Sequence, residues 1–440
     1  MNMKEAASKF DCQISGLDRI RSRFCNHPEK DFTRNRKVSF AFTVRSILSF
    51  GGGTLTNELL KISKFAPDTP SSSAFIQQRG KISPAAFSEL FSRTSLAFDQ
   101  DLRYRGYRLI AVDGSHIHVP FNPQDPDSYV KCKDSERPHN EFHLNAMLDI
   151  MQGIYTDAVV QKYRTQNEDK ALIEMVERSQ LTNAAAICDR GYESYNNMAH
   201  LQMNHWKYIM RIKDPGRYGI ASGLTLPDSA EYDLSVSLSL TRRKNKDTKE
   251  LLKDKNHYRY IPSGVNFDYL PAKNRHNDPV QFFTLDFRVV RMEVGEGLYE
   301  LLVTNLPGSG FPPAELKKLY AMRWGIETSF RNLKYIIGML KFHSRKSEFV
   351  TQEIYANLIM YNMTQILAGC VQITAKKRKH EYMIRFSVAA NIAKSLLLHD
   401  ISPPDAEILL RRNLTPVRPD RSYTRRPRAK AQIQFMYRIS

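Results

Sequence analysis

Residues 107–120, YRLIAVDGSHIHVP, alternate in period two, and the alternation returns in FHLNAMLDIM (142–151) and GIYTDAVVQKYR (153–164). Gly153, just before the third segment, is a hairpin signal, so three consecutive strands are predicted. After them NEDKALIEMVERSQ (167–180) reads as a helix whose start, Asn167 and Glu168, looks like a cap, and NAAAICDRGY (183–192) as a short buried strand ending in a turn. ESYNNMAHLQMN (193–204) then reads as a helix and KYIMRIKD (207–214) as a strand. The order βββαβαβ predicts an α/β fold with a mixed sheet flanked by helices.

On either side of this unit the pattern changes. Residues 1–95 carry helix signals: FAFTVRSILSF (40–50) stops at Gly51, Gly52 and Gly53, Thr54 can cap TLTNELLKISKF, and Ser83-Pro84 starts AAFSELFSRTSLAF. They read as small helices, either a DNA-contacting region or a cap packed on the next domain. The first part of the core spans 96–214. Residues 215–299 alternate again in YDLSVSLSLTRR, HYRYIP, VQFFTLDFRVVRMEV and LYELLVTNLP, and read as a β-rich insertion. Helix returns over 300–370, in PPAELKKLYAMRWGIETSFRNLKYIIGMLKF and the strongly apolar EFVTQEIYANLIMYNMTQILAG.

The chain of 440 residues carries 65 Lys+Arg against 46 Asp+Glu, a net charge of +19, which favours a polyanionic partner such as nucleic acid. Residues 371–440 hold 15 Lys+Arg against 5 Asp+Glu, a balance of +10 in a basic C-terminal region. KKRKH at Lys376–His380 and RSYTRRPRAK at Arg421–Lys430 are clusters of the kind that neutralise phosphates, or a solvated tail with no defined ligand. No apolar run reaches membrane-spanning length, and the first residues lack the plan of a signal peptide; a soluble cytoplasmic protein is expected. The five cysteines form no C-x2-C pair, which argues against a disulfide framework or a cysteine zinc site. No G-x4-G-K-[ST] phosphate loop occurs.

Asp113 and Asp189 each end an apolar run and are each followed within two residues by glycine. In an open α/β sheet ligands gather beyond strand ends, where converging carboxylates suit Mg²⁺ or Mn²⁺; either aspartate alone could equally be turn chemistry. Counting from Glu327 at about 100° per residue, Tyr320, Arg323, Arg331 and Lys334 fall within roughly 40° of the same helix face. Leu319, Met322, Ile326, Phe330, Leu333, Ile337 and Leu340 lie on a stripe about 100° away, which would pack on the sheet. Alone, the charged face could be a solvated salt-bridge surface; combined with two aspartates at strand ends, it is a carboxylate triad with phosphate-binding cations. His116 and His118, one alternation apart, have no third ligand nearby in sequence and read as packed or exposed histidines. Glu193, four residues after Asp189, offers either help to the metal site or, the favoured reading, support for a helix start, and Asp149 and Asp157 read as edge or turn residues.

The segment YAMRWGIETSFRNLK has the form Y-x2-R-x3-E-x6-K. With the upstream DG and DRGY aspartates it resembles the DDE transposases of the insertion-sequence group-four family, a likeness running over roughly residues 40–370 that includes SSSAFIQQRGKISPAAF. The resemblance implies a ribonuclease-H-like catalytic core interrupted by the β-rich insertion. It implies Asp113, Asp189 and Glu327 as catalytic metal ligands for Mg²⁺, with Mn²⁺ as a substitute, and Tyr320, Arg323 and Lys334 on transposon-end phosphates, with Arg331 on the same face. It also implies double-stranded DNA, both transposon ends and target, as the partner, a homodimer in the DNA complex, and a bacterial setting at the nucleoid. The expected activity is cleavage at inverted-repeat ends followed by strand transfer. A repurposed, catalytically inactive DNA-binding protein is the alternative, and a nuclease without strand transfer a third.

Overall fold

The computed structural model describes residues 1–131, 139–216, 218–271, 279–373 and 381–417. Five helices precede the sheet: α1 (Met3–Arg19), α2 (Phe40–Ser49), α3 (Leu55–Ile62), α4 (Ser72–Arg79) and α5 (Ala85–Ala97). Their starts follow capping chemistry. Asn2 and Glu5 form a reciprocal box at α1, and Ser39, Thr54 and Ser71 each accept a backbone N–H from the first turn of α2, α3 and α4. The sequence reading found α2, α3 and α5 but not α1 or α4. The latter is a short polar helix with only Phe75 and Arg79 buried.

The sheet grows from β1 (Arg108–Val119), which has a different partner on each edge. On one it pairs antiparallel with β3 (His139–Asp149), from Ile110↔Asp149 to Val119↔Asn140. The far edge of β3 takes β4 (Ile154–Lys162) and the two-residue β2 (Tyr129–Val130). On its other edge β1 runs parallel to β5 (Ala184–Cys188), which runs parallel to β6 (Lys207–Arg211). Helices α6 (Glu168–Glu177) and α7 (Tyr195–Met203) make these parallel crossovers, so the three hairpin strands and two crossover strands lie in the order β4-β3-β1-β5-β6.

The strands of the 215–299 segment continue this sheet. β7 (Tyr232–Thr241), β8 (Tyr258–Tyr260) and β9 (Phe283–Gly295) join through β10 (Leu298–Thr304), which pairs antiparallel with β6 and extends the order to β10-β9-β7-β8. The charged KNKDTKELLKDKN between them contains a short helix, α8 (Lys246–Leu251), capped by Asn245 and Thr248.

Alternation along β1 divides the cores. Ile110 and Val112 face α6, with Ala171, Leu172 and Met175. Leu109 faces α9 (Pro313–Met322), with Leu316 and Leu319, and Ala111 faces α10 (Trp324–Asn332) and α11 (Ser347–Gly369). The core on the Ala111 side is shared with α1, α2 and α5 and with α12 (Phe386–Leu397) and α13 (Pro403–Arg412). A small antiparallel pair, β11 (Tyr382–Ile384) and β12 (Leu414–Pro416), brackets α12 and α13. Thus α12 and α13 each bury one apolar face in the core, which the basic composition of the region concealed. The clusters Lys376–His380 and Arg421–Lys430 lie outside the described residues. No described helix is long and apolar enough to cross a membrane.

Candidate active site

Parallel pairing of β1 and β5 ends at Val112↔Cys188, so Asp189 follows the last residue of β5 while Asp113, read as a strand end, lies level with it in mid-β1, which runs on to Val119 against β3 alone. Each carboxylate is held by a nearby glycine N–H, Asp113 within the strand and Asp189 at a turn. Asp113 accepts the Gly114 N–H at 2.9 Å, and Asp189 accepts the Gly191 N–H at 2.8 Å as it caps the single 3₁₀ turn Arg190–Tyr192. Glu327 comes from α10, whose Ile326 and Phe330 are buried in the core on that face of the sheet. Arg323 joins the two sides: Nη2 donates to Glu327 Oε1 at 2.8 Å and Nη1 lies 3.4 Å from Asp113 Oδ2.

Burial pushes the Asp113 carboxyl up to about 6, Arg323 opposes that rise, and the charges of Asp189 and Glu327 add to it. The site is therefore three mutually repelling carboxylates with one guanidinium among them. A set of acceptor-only oxygens with too little countercharge fits a hard divalent cation, and Asp113, Asp189 and Glu327 are the residues that would hold it.

The helix carrying Glu327 is not continuous. It breaks at Arg323 between α9 and α10 and widens into a π turn over Leu333–Ile337, ended by Gly338 at φ 110°. Most of the predicted apolar stripe is nonetheless seated as expected: Leu319, Ile326, Phe330, Leu333 and Ile337 are buried, and Met322 and Leu340 partly buried. The polar face divides into different environments. Tyr320 is largely buried with its ring near the Arg323 guanidinium, and burial raises its phenol. Lys334 donates to the His116 carbonyl of β1 at 2.7 Å, and burial lowers its ammonium. Arg331 is exposed and has no partner among the described residues. The Nε of Arg323 is buried without a hydrogen-bond partner.

Two neighbours of the triad were not found from sequence. Glu168, at the first turn of α6, lies beside the site: a Cβ on Gly191 would sit 3.3 Å from Glu168 Oε2 and 3.1 Å from Asp189 Oδ1, and one on Gly114 would sit 2.5 Å from Glu168 Oε1. His143 of β3 meets the same carboxylate, with Nε2 3.0 Å from Glu168 Oε1. Asn167 does cap α6, as read, accepting the Lys170 N–H, but that reading left Glu168 with no further role. Glu193 differs from expectation. Its two oxygens accept the backbone N–H groups of Lys213 and Ile220, so it fastens the loop after β6 rather than a helix start. Asp149 is fully buried, paired with Arg108 at 2.6 Å and capping the Met151 and Gln152 N–H groups. Asp157 forms a partly exposed pair with Arg178.

Residues 104–363, which contain the triad, match the family described as transposase DDE domain. The chain belongs to that family. The resemblance read from the DG, DRGY and Y-x2-R-x3-E-x6-K motifs is borne out. Transposase InsG for insertion sequence element IS4, from Escherichia coli (strain K12), is 20% identical to this family member over 302 residues, 67% of this chain and 60% of that protein. The match thus spans about three-fifths of the curated relative's length. A solved structure described as the cryo-EM structure of piggyBac transposase synaptic complex with hairpin DNA is similar at a TM-score of 0.42 and 10% identity, over 93% of this chain and 84% of that chain.

Proposed function

We propose that the chain is a DDE transposase that cleaves phosphodiester bonds at the inverted-repeat ends of a mobile element and transfers the resulting 3′ ends into target DNA. The observation that carries this reading is the convergence of Asp113 from the middle of β1, Asp189 from the end of β5 and Glu327 from a helix, on a chain of net charge +19. A binding module gains nothing from three carboxylates that repel one another and the phosphates it must approach.

The ribonuclease-H-like reading of the core is supported by its topology, a three-strand meander followed by two parallel crossover strands in the order β4-β3-β1-β5-β6. In this assignment residues 96–214 and 300–370 form the catalytic core, 215–299 an insertion that widens its sheet, 1–95 a helical region contacting DNA, and 371–440 a region whose basic clusters, outside the core helices α12 and α13, add phosphate contacts. Mg²⁺, or Mn²⁺ in its place, would be held by the triad, where bound divalent ions act as Lewis acids on the attacking and leaving oxygens. Arg323, already spanning Asp113 and Glu327, positions both carboxylates, and its guanidinium would contact a phosphate of the bound DNA. Tyr320 and Lys334 flank it, and Arg331 meets the DNA backbone further out. A homodimer supplies the two active sites that joining two ends requires.

The test is nicking of a labelled duplex carrying the ends that flank the coding sequence. End-specific, Mg²⁺-dependent nicking is expected from the native chain and none from Glu327→Ala; tight binding without nicking in either metal ion would favour the binding-only alternative. Arg331→Ala separates phosphate contact from folding. It should leave stability within about 0.5 kcal/mol, because the side chain is exposed and unpaired among the described residues. Titration of end-DNA binding against salt should show the slope of log K reduced by about 1.

A further inference from the structure

The face of β1 and β3 turned away from Glu327 is polar beyond Val112. His116 and His118 of β1 stand on the same side as His139, Glu141 and His143 of β3, in the register His116↔His143 and His118↔Glu141. A strand face over a domain interior is ordinarily apolar, and this one is apolar up to Val112 and Met147. From there imidazoles meet edge to face, His116 against His143 at 4.7 Å and His118 against His139 at 4.9 Å, with the Glu141 carboxylate among them.

Glu141 divides its two oxygens. Oε1 is 2.7 Å from His116 Nδ1, an ordinary hydrogen bond. Oε2 lies 3.5 Å from His118 Nδ1 and 3.7 Å from His139 Nε2, too far for well-formed hydrogen bonds. All three donor atoms lie within 4.8 Å of one another. Two ligand atoms each about 2.0–2.1 Å from a tetrahedral ion are about 3.3 Å apart, so the Glu141 Oε2 spacings need contract by only a few tenths of an ångström around a metal.

We propose that His118, His139 and Glu141 form a second metal site, taking a borderline transition ion of the Zn²⁺ kind and distinct from the carboxylate triad. Two imidazoles and one carboxylate suit Zn²⁺ and disfavour Mg²⁺, which demands oxygen ligands. His116, donating to the oxygen that does not face the other imidazoles, orients the carboxylate as outer partners of metal ligands do. The fourth position is open to water, since the His118 side chain is 42% exposed while those of His139 and Glu141 are 5% and 10% exposed. His118 lies five residues beyond Asp113, about 17 Å along an extended strand, and its side chain points to the opposite face. The ion would fasten the end of β1 to β3, and so would steady the strand that carries Asp113.

The experiment uses the full chain stripped of metal with a chelator, then titrated with Zn²⁺ by calorimetry and with Co²⁺ by its visible absorption. One ion per chain is expected with affinity on the order of 1 µM or tighter, tetrahedral Co²⁺ bands, and a rise in Tm of about 2 °C or more at saturation. His118→Ala, at a partly exposed position, and the near-isosteric Glu141→Gln should each weaken binding by at least tenfold and abolish the Co²⁺ bands while the metal-free Tm stays near that of the parent. His116→Ala should weaken binding about 10- to 100-fold. The proposal is overturned if Zn²⁺ does not bind saturably, or if its binding survives His118→Ala and Glu141→Gln but is lost in Asp113→Asn, which would place the ion at the triad.

Discussion

Asp113→Asn is expected to lower end cleavage by about 10³-fold or more, while making the metal-free chain more stable above about pH 6. Both effects have one cause. The Asp113 carboxyl is held at about 6 against an ordinary 3.8 because burial and the charges of Asp189 and Glu327 outweigh the attraction of Arg323. The native state therefore binds this proton more tightly than the unfolded chain does. As pH rises from about 4 through 6 the native protein loses stability, by up to about 3 kcal/mol at neutral pH. Asparagine keeps the shape and has no proton to lose, so the denaturant midpoints of parent and variant should coincide near pH 4 and separate by pH 7, the variant being more stable. Adding Mg²⁺ should reverse that order, since a cation bound by the triad stabilises only the parent. A variant that lost cleavage and was less stable at every pH would show Asp113 to be a structural residue, and the triad assignment would fall.

The parts of this arrangement that were legible in the sequence are those fixed by local rules. Period-two alternation located β1, β3 and β4, and the 3.6-residue stripe from Leu319 to Ile337 fixed which side of the helix meets the sheet. Hence it fixed which side offers Glu327, even though the helix breaks at Arg323 and ends in a π turn. What was not legible depends on contacts between distant elements. Glu168 reads as the first residue after a cap, and only the close packing of α6 on Gly114 and Gly191 brings it beside Asp189. His139 and Glu141 lie more than twenty residues beyond His118, so no spacing rule joins them; the register His118↔Glu141 does. The 215–299 segment reads as β-rich, but its pairing onto β6 through β10 is a non-local event.

The same limit applies to the largest stability effect expected away from the active site, in a group of residues that no motif announces. Arg79, at the last residue of α4, is 1% exposed, and its guanidinium is enclosed by α11. Nη1 lies 2.9 Å from Glu353 Oε1, Nε donates to Gln352 Oε1 at 2.8 Å, Nη2 donates to the Phe349 carbonyl at 2.7 Å, and the plane lies over the Phe349 ring. Glu353 also faces His343, whose backbone N–H and Nδ1 both lie 3.1 Å from Oε2. Burial alone would raise the Glu353 carboxyl, yet Arg79 and His343 together hold it below its usual 4.5. The pair is thus charged and satisfied, and it ties an N-terminal helix to the longest helix of the core.

Glu353→Ala removes one partner and leaves a buried guanidinium without its anion, so a loss of about 3–5 kcal/mol in unfolding free energy is expected. Arg79→Met combined with Glu353→Met fills a similar volume with apolar atoms and should recover most of that loss, because the cost lies in stranding one charge rather than in lacking the pair. Acid supplies a second, independent reading. The contribution of Glu353 is present above the ordinary glutamate value of 4.5 and disappears as pH falls through the lowered native one. The parent should therefore lose stability on acidification through that window, and the double variant should lose correspondingly less. Denaturant midpoints measured for the parent, the two single variants and the double variant, near pH 7 and pH 3, decide the matter. Equal losses in the single and double variants would mean that the pair contributes net stability in itself, and that α4 is held to α11 by the charges rather than by the packing around them.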